Sequence, residues 1–247
     1  MKPLFVSLFS FIVLANLSLG ETPASKTDPK ALALIDKLIK ATGGEEALKK
    51  IKTRVSVSKI TMAAAGVSIE VNMSQKAPNK VYVEQSIPGF MEVKQGFDGK
   101  KGWGEDTAQG FRIFEGTELE QLKREGNINR ELSLKTNYPV MKMLPDADVE
   151  GKKTHVIEAT SKDERKETWY LDAESGLMVQ IQQKMSMGPQ GEMDVTIGMK
   201  DYQEMDGIKL PMLSEIKNPA FGVVELTISR VKHNVAVNDK IFEAPEQ

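Results

Sequence analysis

The chain has 247 residues, 40% of them hydrophobic and 28% charged, with 19 Gly and 11 Pro; this composition excludes disordered and collagen-like classes and leaves one large or two small folded domains. Its formal charge of −2 comes from 33 basic and 35 acidic residues interspersed along the chain, so no broad positive field exists to hold nucleic acid phosphates. The absence of Cys removes thiol nucleophiles, thiolate metal sites, disulfides and a lipid-modified N-terminal Cys, and the two histidines, His155 and His233, leave little for metal or triad chemistry.

Lys2 precedes an apolar run from Leu4 to Leu19 with only mild polar interruptions, and Ser18-Leu19-Gly20 puts small residues before a cut near Gly20–Glu21. This is the layout of a signal peptide over 1–20, too short and Ser-rich for a comfortable membrane span, and it predicts an exported mature protein. Residues 21–30 are polar, hold Pro23 and Pro29, and read as a flexible lead-in. Asp28-Pro29 then offers an N-cap with Pro at the first helical position, and Ala31, Leu34, Ile35, Leu38 and Ile39 repeat at helical spacing up to Gly43-Gly44. Thr42-Gly-Gly-Glu45 has capping-box spacing for a second short helix carrying Leu48 and Ile51.

From Val55 the period changes to two, most clearly where Val67, Ile69, Val71 and Met73 alternate with polar residues. Further strands are expected at Lys80–Gln85, Met91–Phe97, Gly102–Glu105, Thr154–Thr160, Glu167–Asp172, Leu177–Lys184, Met193–Met199, Ile208–Leu210, Leu213–Lys217 and Val223–Val231. Turn chemistry at Asp98-Gly99, Ala173-Glu-Ser-Gly176, Gly188-Pro-Gln-Gly191, Asp206-Gly207 and Asn218-Pro219 joins them. Connections this short make antiparallel neighbours, and a single sheet of about ten strands with one apolar face must coil, fold over or curl around something. Thr117-Glu-Leu-Glu120 opens a short helix through Leu119 and Leu122 toward Gly126, and residues 127–148, with Pro139 and Pro145, read as irregular. The resulting insertion at about 111–148 interrupts the strand meander, as lids and binding segments do; in the remainder, 31–247 reads as a single domain.

No Gly-x-Ser-x-Gly, Walker lysine loop or His-Glu-x-x-His is present, and Gly99-Lys-Lys-Gly-Trp-Gly104 sits in a hairpin context with no following helix, so it reads as a turn. Glu115, Glu118, Glu120, Glu125 and Glu131 read as a solvated helix face. Methionine is concentrated late in the chain: Met178, Met185, Met187, Met193, Met199, Met205 and Met212 would suit either an adaptable core or a cavity for flexible hydrocarbon.

Ala41-Thr-Gly-Gly-Glu-Glu-Ala-Leu, Lys76-Ala-Pro-Asn-Lys80, Gln95-Gly-Phe-Asp-Gly-Lys-Lys-Gly-Trp103, Glu118-Leu-Glu-Gln-Leu-Lys-Arg124, Trp169-Tyr-Leu-Asp-Ala-Glu-Ser-Gly-Leu177 and Asp201-Tyr-Gln-Glu-Met-Asp-Gly-Ile-Lys-Leu-Pro211 resemble the outer-membrane lipoprotein-sorting (LolA-like) proteins over roughly residues 31–245. The similarity is closer to secreted members than to the periplasmic lipoprotein carrier itself. The resemblance implies an α+β, mainly β fold: a large curved antiparallel sheet forming an unclosed half-barrel, with an N-terminal helix and a short helical lid. It also implies a non-catalytic periplasmic carrier that holds lipid acyl chains, those of lipoproteins foremost, in an apolar cavity, with transient contact to membrane-bound donor or acceptor proteins and no cofactor, metal or nucleic acid. Candidate lining residues are Val81, Val83, Met91, Val93, Trp103, Trp169, Leu177 and Val179, with Leu119, Leu122 and Arg124 on the lid. In the carrier an arginine inside the half-barrel bonds the lid, and here Arg54, Arg112, Arg124 and Arg130 are its possible counterparts. A periplasmic envelope sensor binding a protein partner is the alternative; such regulators carry a second domain, for which a chain ending at Gln247 leaves no room. A carboxylate-dependent hydrolase is the minor alternative.

Overall fold

The computed structural model describes residues 27–87, 89–107, 110–186, 191–220 and 222–246, so the signal segment 1–20 and the lead-in up to residue 26 lie outside the described residues. Helix α1 (Pro29–Ala41) starts as its residues dictate: the Asp28 side chain accepts from the Lys30 N–H at 2.8 Å, Pro29 takes the first position, and Ala31, Ile35 and Leu38 form the buried stripe. It ends at Gly43, whose φ of +131° and close approach to the Gly207 carbonyl leave no space for a side chain. Helix α2 (Glu45–Lys50) follows and buries Leu48.

The N-terminal strands are β1 (Thr53–Met62), β2 (Val67–Lys76), β3 (Lys80–Ile87), β4 (Met91–Phe97), β5 (Gly102–Asp106) and β6 (Gly110–Phe114). Two helices, α3 (Gly116–Gly126) and α4 (Arg130–Asn137), separate them from the second group. That group comprises β7 (Val140–Val149), β8 (Lys152–Thr160), β9 (Lys166–Asp172), β10 (Met178–Ser186), β11 (Glu192–Met205), β12 (Ile208–Asn218) and β13 (Gly222–His233). All thirteen lie in one antiparallel sheet ordered β6-β5-β4-β3-β2-β1-β13-β12-β11-β10-β9-β8-β7. Two meanders are thus fused through the long-range pairing of β1 with β13, and β6 and β7 are left as the free edges of a sheet not closed into a barrel.

The helices α3 and α4 connect those two free edges and therefore span the concave side. Three apolar clusters fill that side. Under α3, Val81, Val83, Phe97 and Phe114 pack on Leu122; under α1 and α4, Ile157, Trp169, Leu171 and Ile181 pack with Ile35, Leu134 and Tyr138; near α2, Leu48, Ile51, Ile128 and Ile208 close the third. The convex side receives the C-terminal 3₁₀ turn (Asp239–Phe242), which Lys76 and Lys80 anchor through Asp239 and which accepts the Trp103 indole N–H on the Phe242 carbonyl at 3.0 Å.

The structure departs from the expected elements in three places. Residues 127–148, read as irregular, hold α4 and most of β7. Pro145 is tolerated because β7 is an edge strand whose register shifts between Leu144 and Ala147. Strand β6 replaces the start of the expected insertion, which narrows to the α3–α4 connection. Ile208–Leu210 and Leu213–Lys217 form one strand through Pro211, which is in register with Tyr202 of β11 but lies before the β13 pairing begins at Leu213, so its other side is unpaired. The Gly99–Gly104 segment is a turn, as expected: the Asp98 carboxylate accepts from the N–H groups of Lys100 and Lys101 at 2.7 Å.

Candidate functional site

Between the cluster under α3 and the cluster under α1 lies a central cavity of about 370 Å3. Strand alternation sets its floor: Arg54 and Ser56 of β1 pair with Gln75 and Met73 of β2, and all four point to the concave side. The α3–α4 junction supplies the roof, lowering Arg124, Glu125, Arg130 and Glu131 over that floor. The lining is mixed: these charged groups sit among Leu48, Met73, Ile128, Met185, Leu210 and Ile228, so the cavity is not the purely apolar one expected from the family resemblance.

Its best-satisfied group is Glu167, only 7% exposed, whose carboxylate accepts from the Trp169 indole N–H at 2.7 Å, the Tyr138 hydroxyl at 2.5 Å and Arg130 Nη2 at 3.1 Å. Burial, helped by this carboxylate, pushes the Tyr138 hydroxyl far above its ordinary pKa, so it stays a donor. Arg54 donates from Nε to His233 Nε2 at 3.1 Å, while His233 Nδ1 lies 2.8 Å from Asp206 Oδ2. An accepting Nε2 places the ring proton on Nδ1, toward Asp206, and burial holds the His233 pKa below its ordinary value. Burial likewise lowers Arg54 and Arg124 and raises Glu125, whose carboxylate accepts from Gln121 at 3.0 Å. Arg124 Nη1 and Asn129 Oδ1 are buried with no hydrogen-bond partner among the described residues.

Helix α3 is tied to the sheet at both ends. Arg112 of β6 forms a bidentate pair with Glu118, at 2.7 and 2.9 Å, and its guanidinium lies 4.6 Å from the Phe114 ring centroid. Gln75 Nε2 donates to the Glu125 carbonyl at 2.6 Å. Between these ties, Leu119 and Leu122 lie over Gly102, where a Cβ would come within 2.8 Å of Leu119. Of the four arginines considered from the sequence, Arg112 is the one bonded to α3, Arg130 is bound to Glu167, and Arg54 to His233.

The expected lining residues separate into distinct places. Val81 and Val83 are buried beneath α3, and Val93 is half-buried on the same face; the Met91 side chain lies outside the described residues. Trp103 faces the other way. It pairs with Gly96 and packs on the convex side with Tyr82 and Phe111, under the C-terminal turn, because its register is one residue out of phase with Gly102. Trp169 is fully buried, edge-on to Tyr138 at 4.7 Å, with its indole on Glu167. Leu177 and Val179 line a separate groove with Glu150, Gln180, Gly198 and Lys200 that shares no residue with the central cavity. Arg124 does line that cavity.

Two further sequence readings change. Glu125 and Glu131 do not belong to a solvated face but look into the cavity, whereas Glu118 pairs with Arg112 and Glu120 with Lys123. Of the late methionines, Met178 joins the core, Met199 packs against it, and Met185 lines the cavity; Met187 lies outside the described residues. Sequence reasoning missed Glu167 and Gln75 as cavity residues and Tyr138 as the donor to Glu167, and the one available signal was that Glu167 shares a strand face with Trp169. Among the described residues no group of three or more His, Asp or Glu could hold a metal ion, and no helix is long and apolar enough to cross a membrane.

The architecture is an open antiparallel half-barrel bridged by helices, and known structures share it. The sequence matches no protein-family model and no curated protein. Its fold is similar to that of a DUF1329 family protein from Desulfovibrio piger, at 13% identity and a TM-score of 0.60, over 88% of this chain and 98% of the other. It is also similar to a LolA superfamily protein from Nitrosomonas europaea, at 12% identity and a TM-score of 0.59, over 87% and 97% of the two chains. A putative outer membrane lipoprotein-sorting protein domain from Vibrio parahaemolyticus aligns at 12% identity and a TM-score of 0.55, over 84% and 97%. At these identities the likeness is one of fold, and it is the fold that the sequence motifs resembled.

Proposed function

We propose that the protein is an exported, non-catalytic binding or carrier protein that takes up lipid acyl chains, those of lipoproteins foremost, inside its half-barrel. The observation that carries this reading is the position of α3. The apolar surface of Val81, Val83, Phe97 and Phe114 is covered by a helix that belongs to the connection between two free sheet edges and is tied down by polar contacts near its ends. Lifting Leu119 and Leu122 off Gly102 would open an apolar trough without unpairing any strand. The fold shared with a lipoprotein-sorting domain and the N-terminal signal layout support the same reading, with the periplasm as the compartment.

The test is purification from a host whose membranes the protein meets, followed by lipid mass spectrometry and titration with a fluorescent acyl-chain probe. Co-purifying acyl lipid or saturable probe uptake is the expected result. A lipid-free protein that takes up no probe would overturn the reading.

A further inference from the structure

We propose that the central cavity is a receptor site for an anionic headgroup, phosphate or carboxylate, carried by the acylated ligand, with Arg124 and Arg54 as its donors; this rests on the lipid-binding reading above. The first ground is Arg124, whose Nη1 is buried without an acceptor among the described residues. A guanidinium N–H withdrawn from water and left unbonded is costly, and such a group persists where something else supplies the acceptor. The second is Arg54, which is held through Nε on a histidine, with no ion pair to any described residue, and which lines the same cavity.

No carboxylate of the cavity forms an ion pair with either arginine among the described residues. Glu167 is occupied by Arg130, Tyr138 and Trp169, and Glu125 accepts from Gln121, leaving Glu131 as the acid facing Arg54. Arg124 also lines an adjoining cavity of about 270 Å3, where Glu120 and Asp163 are engaged by Lys123 and Arg165 and Lys162 has no ion pair among the described residues. The approach to Arg124 is therefore positive as well. Continuity with the apolar trough gives the ligand its shape: Met73 packs against the cluster under α3 and also lines the central cavity, so a chain under α3 would place its headgroup at the arginines.

The experiment compares two amphiphiles that differ by one phosphate, 1-oleoyl lysophosphatidic acid and monoolein, as competitors of a fluorescent acyl-chain probe below their aggregation concentrations. Lysophosphatidic acid should displace the probe at about tenfold lower concentration, the scale of a charge-assisted hydrogen bond. Arg124→Gln and Arg54→Gln should each shrink that preference and their combination abolish it, with monoolein displacement unchanged; Arg54→Lys, which keeps the charge, should retain it. Arg124 gives the fold no hydrogen bond through Nη1, so Arg124→Gln should melt no lower than the wild type, and a lost preference in a variant that melts normally reports binding. Equal displacement by the two amphiphiles, or a preference that survives the double variant, would overturn the headgroup site while leaving acyl-chain binding in place. Should no probe bind, the lipid reading falls, and inorganic phosphate decides the site: a melting shift in the wild type that Arg124→Gln loses upholds it, and no shift overturns it.

Discussion

Single residues fix how closely the helices can approach the sheet. A Cβ at Gly126 would lie 2.1 Å from the Asn79 carbonyl oxygen, a backbone atom that cannot rotate away. Gly126→Ala is therefore expected to cost about 1–3 kcal/mol in denaturant unfolding, as overpacking does, and to loosen the C-terminal end of α3. His233 offers a pH test. Its side chain is 1% exposed and held below its ordinary pKa, first by burial and then by the nearby Arg54 charge, against the opposing pull of Asp206. Because the folded value lies below the unfolded one, the unfolded chain binds more protons as pH falls below about 6.5. Stability from this site is thus present above that pH and is lost as pH falls through the folded value. Melting temperatures measured on acidification should drop more steeply for the wild type than for His233→Gln, which cannot titrate; identical slopes would show that His233 does not govern the transition.

At the scale of the element, α3 combines an apolar underside with polar ends, so its two kinds of contact can be cut separately. Leu122→Asp places a carboxylate beneath the helix among Val81, Phe97 and Phe114, where burial would cost several kcal/mol, so the helix should swing away. Faster hydrogen exchange over 116–126, with the sheet strands still protected, is the expected outcome, together with weaker retention of an acyl-chain probe. A fall in global stability without selective loosening of that segment would mean that α3 is structural packing and not a lid. Glu118→Gln removes the charge from a pair whose side chains are about a third exposed, so solvent screens it and the cost should stay within about 1 kcal/mol. Its signature is local: exchange should quicken at the N-terminal turn of α3 while the melting temperature hardly moves. Strand β1 shows why the cavity was hard to read. Its period of two is plain from Val55 onward, yet its buried residues are Thr53, Ser56 and Ser58 while Val55 and Val57 are only partly buried, so the apolar positions do not mark the inward face.

For the molecule as a whole, the decisive contact is β1 with β13, pairing residues such as Val57 with Arg230 across most of the chain. Long-range antiparallel closure of this kind makes folding slow, on the order of milliseconds to seconds, and stopped-flow refolding should show the slow phase retarded by substitutions in β1 or β13 more than by those in the β3–β4 hairpin. The sequence alone determined the strand meander, because alternation and turn residues are local properties that each hairpin carries within about twenty residues. It likewise determined α1, through Asp28, Pro29 and the stripe of Ala31, Ile35 and Leu38, and the short α3. What the sequence could not settle was which face of each strand turns inward, where a one-residue change of phase sends Trp103 to the convex side and Arg54 to the concave one. Tertiary structure alone decided that β6 and β7 are the free edges, that Pro145 could therefore sit in a strand, and that Arg54, Arg124, Arg130 and Glu167 share one cavity. The physical reason is common to all three: they depend on contacts between segments far apart in the chain, and residue type alone does not record whether a buried charge will meet its partner there or be left to await a ligand.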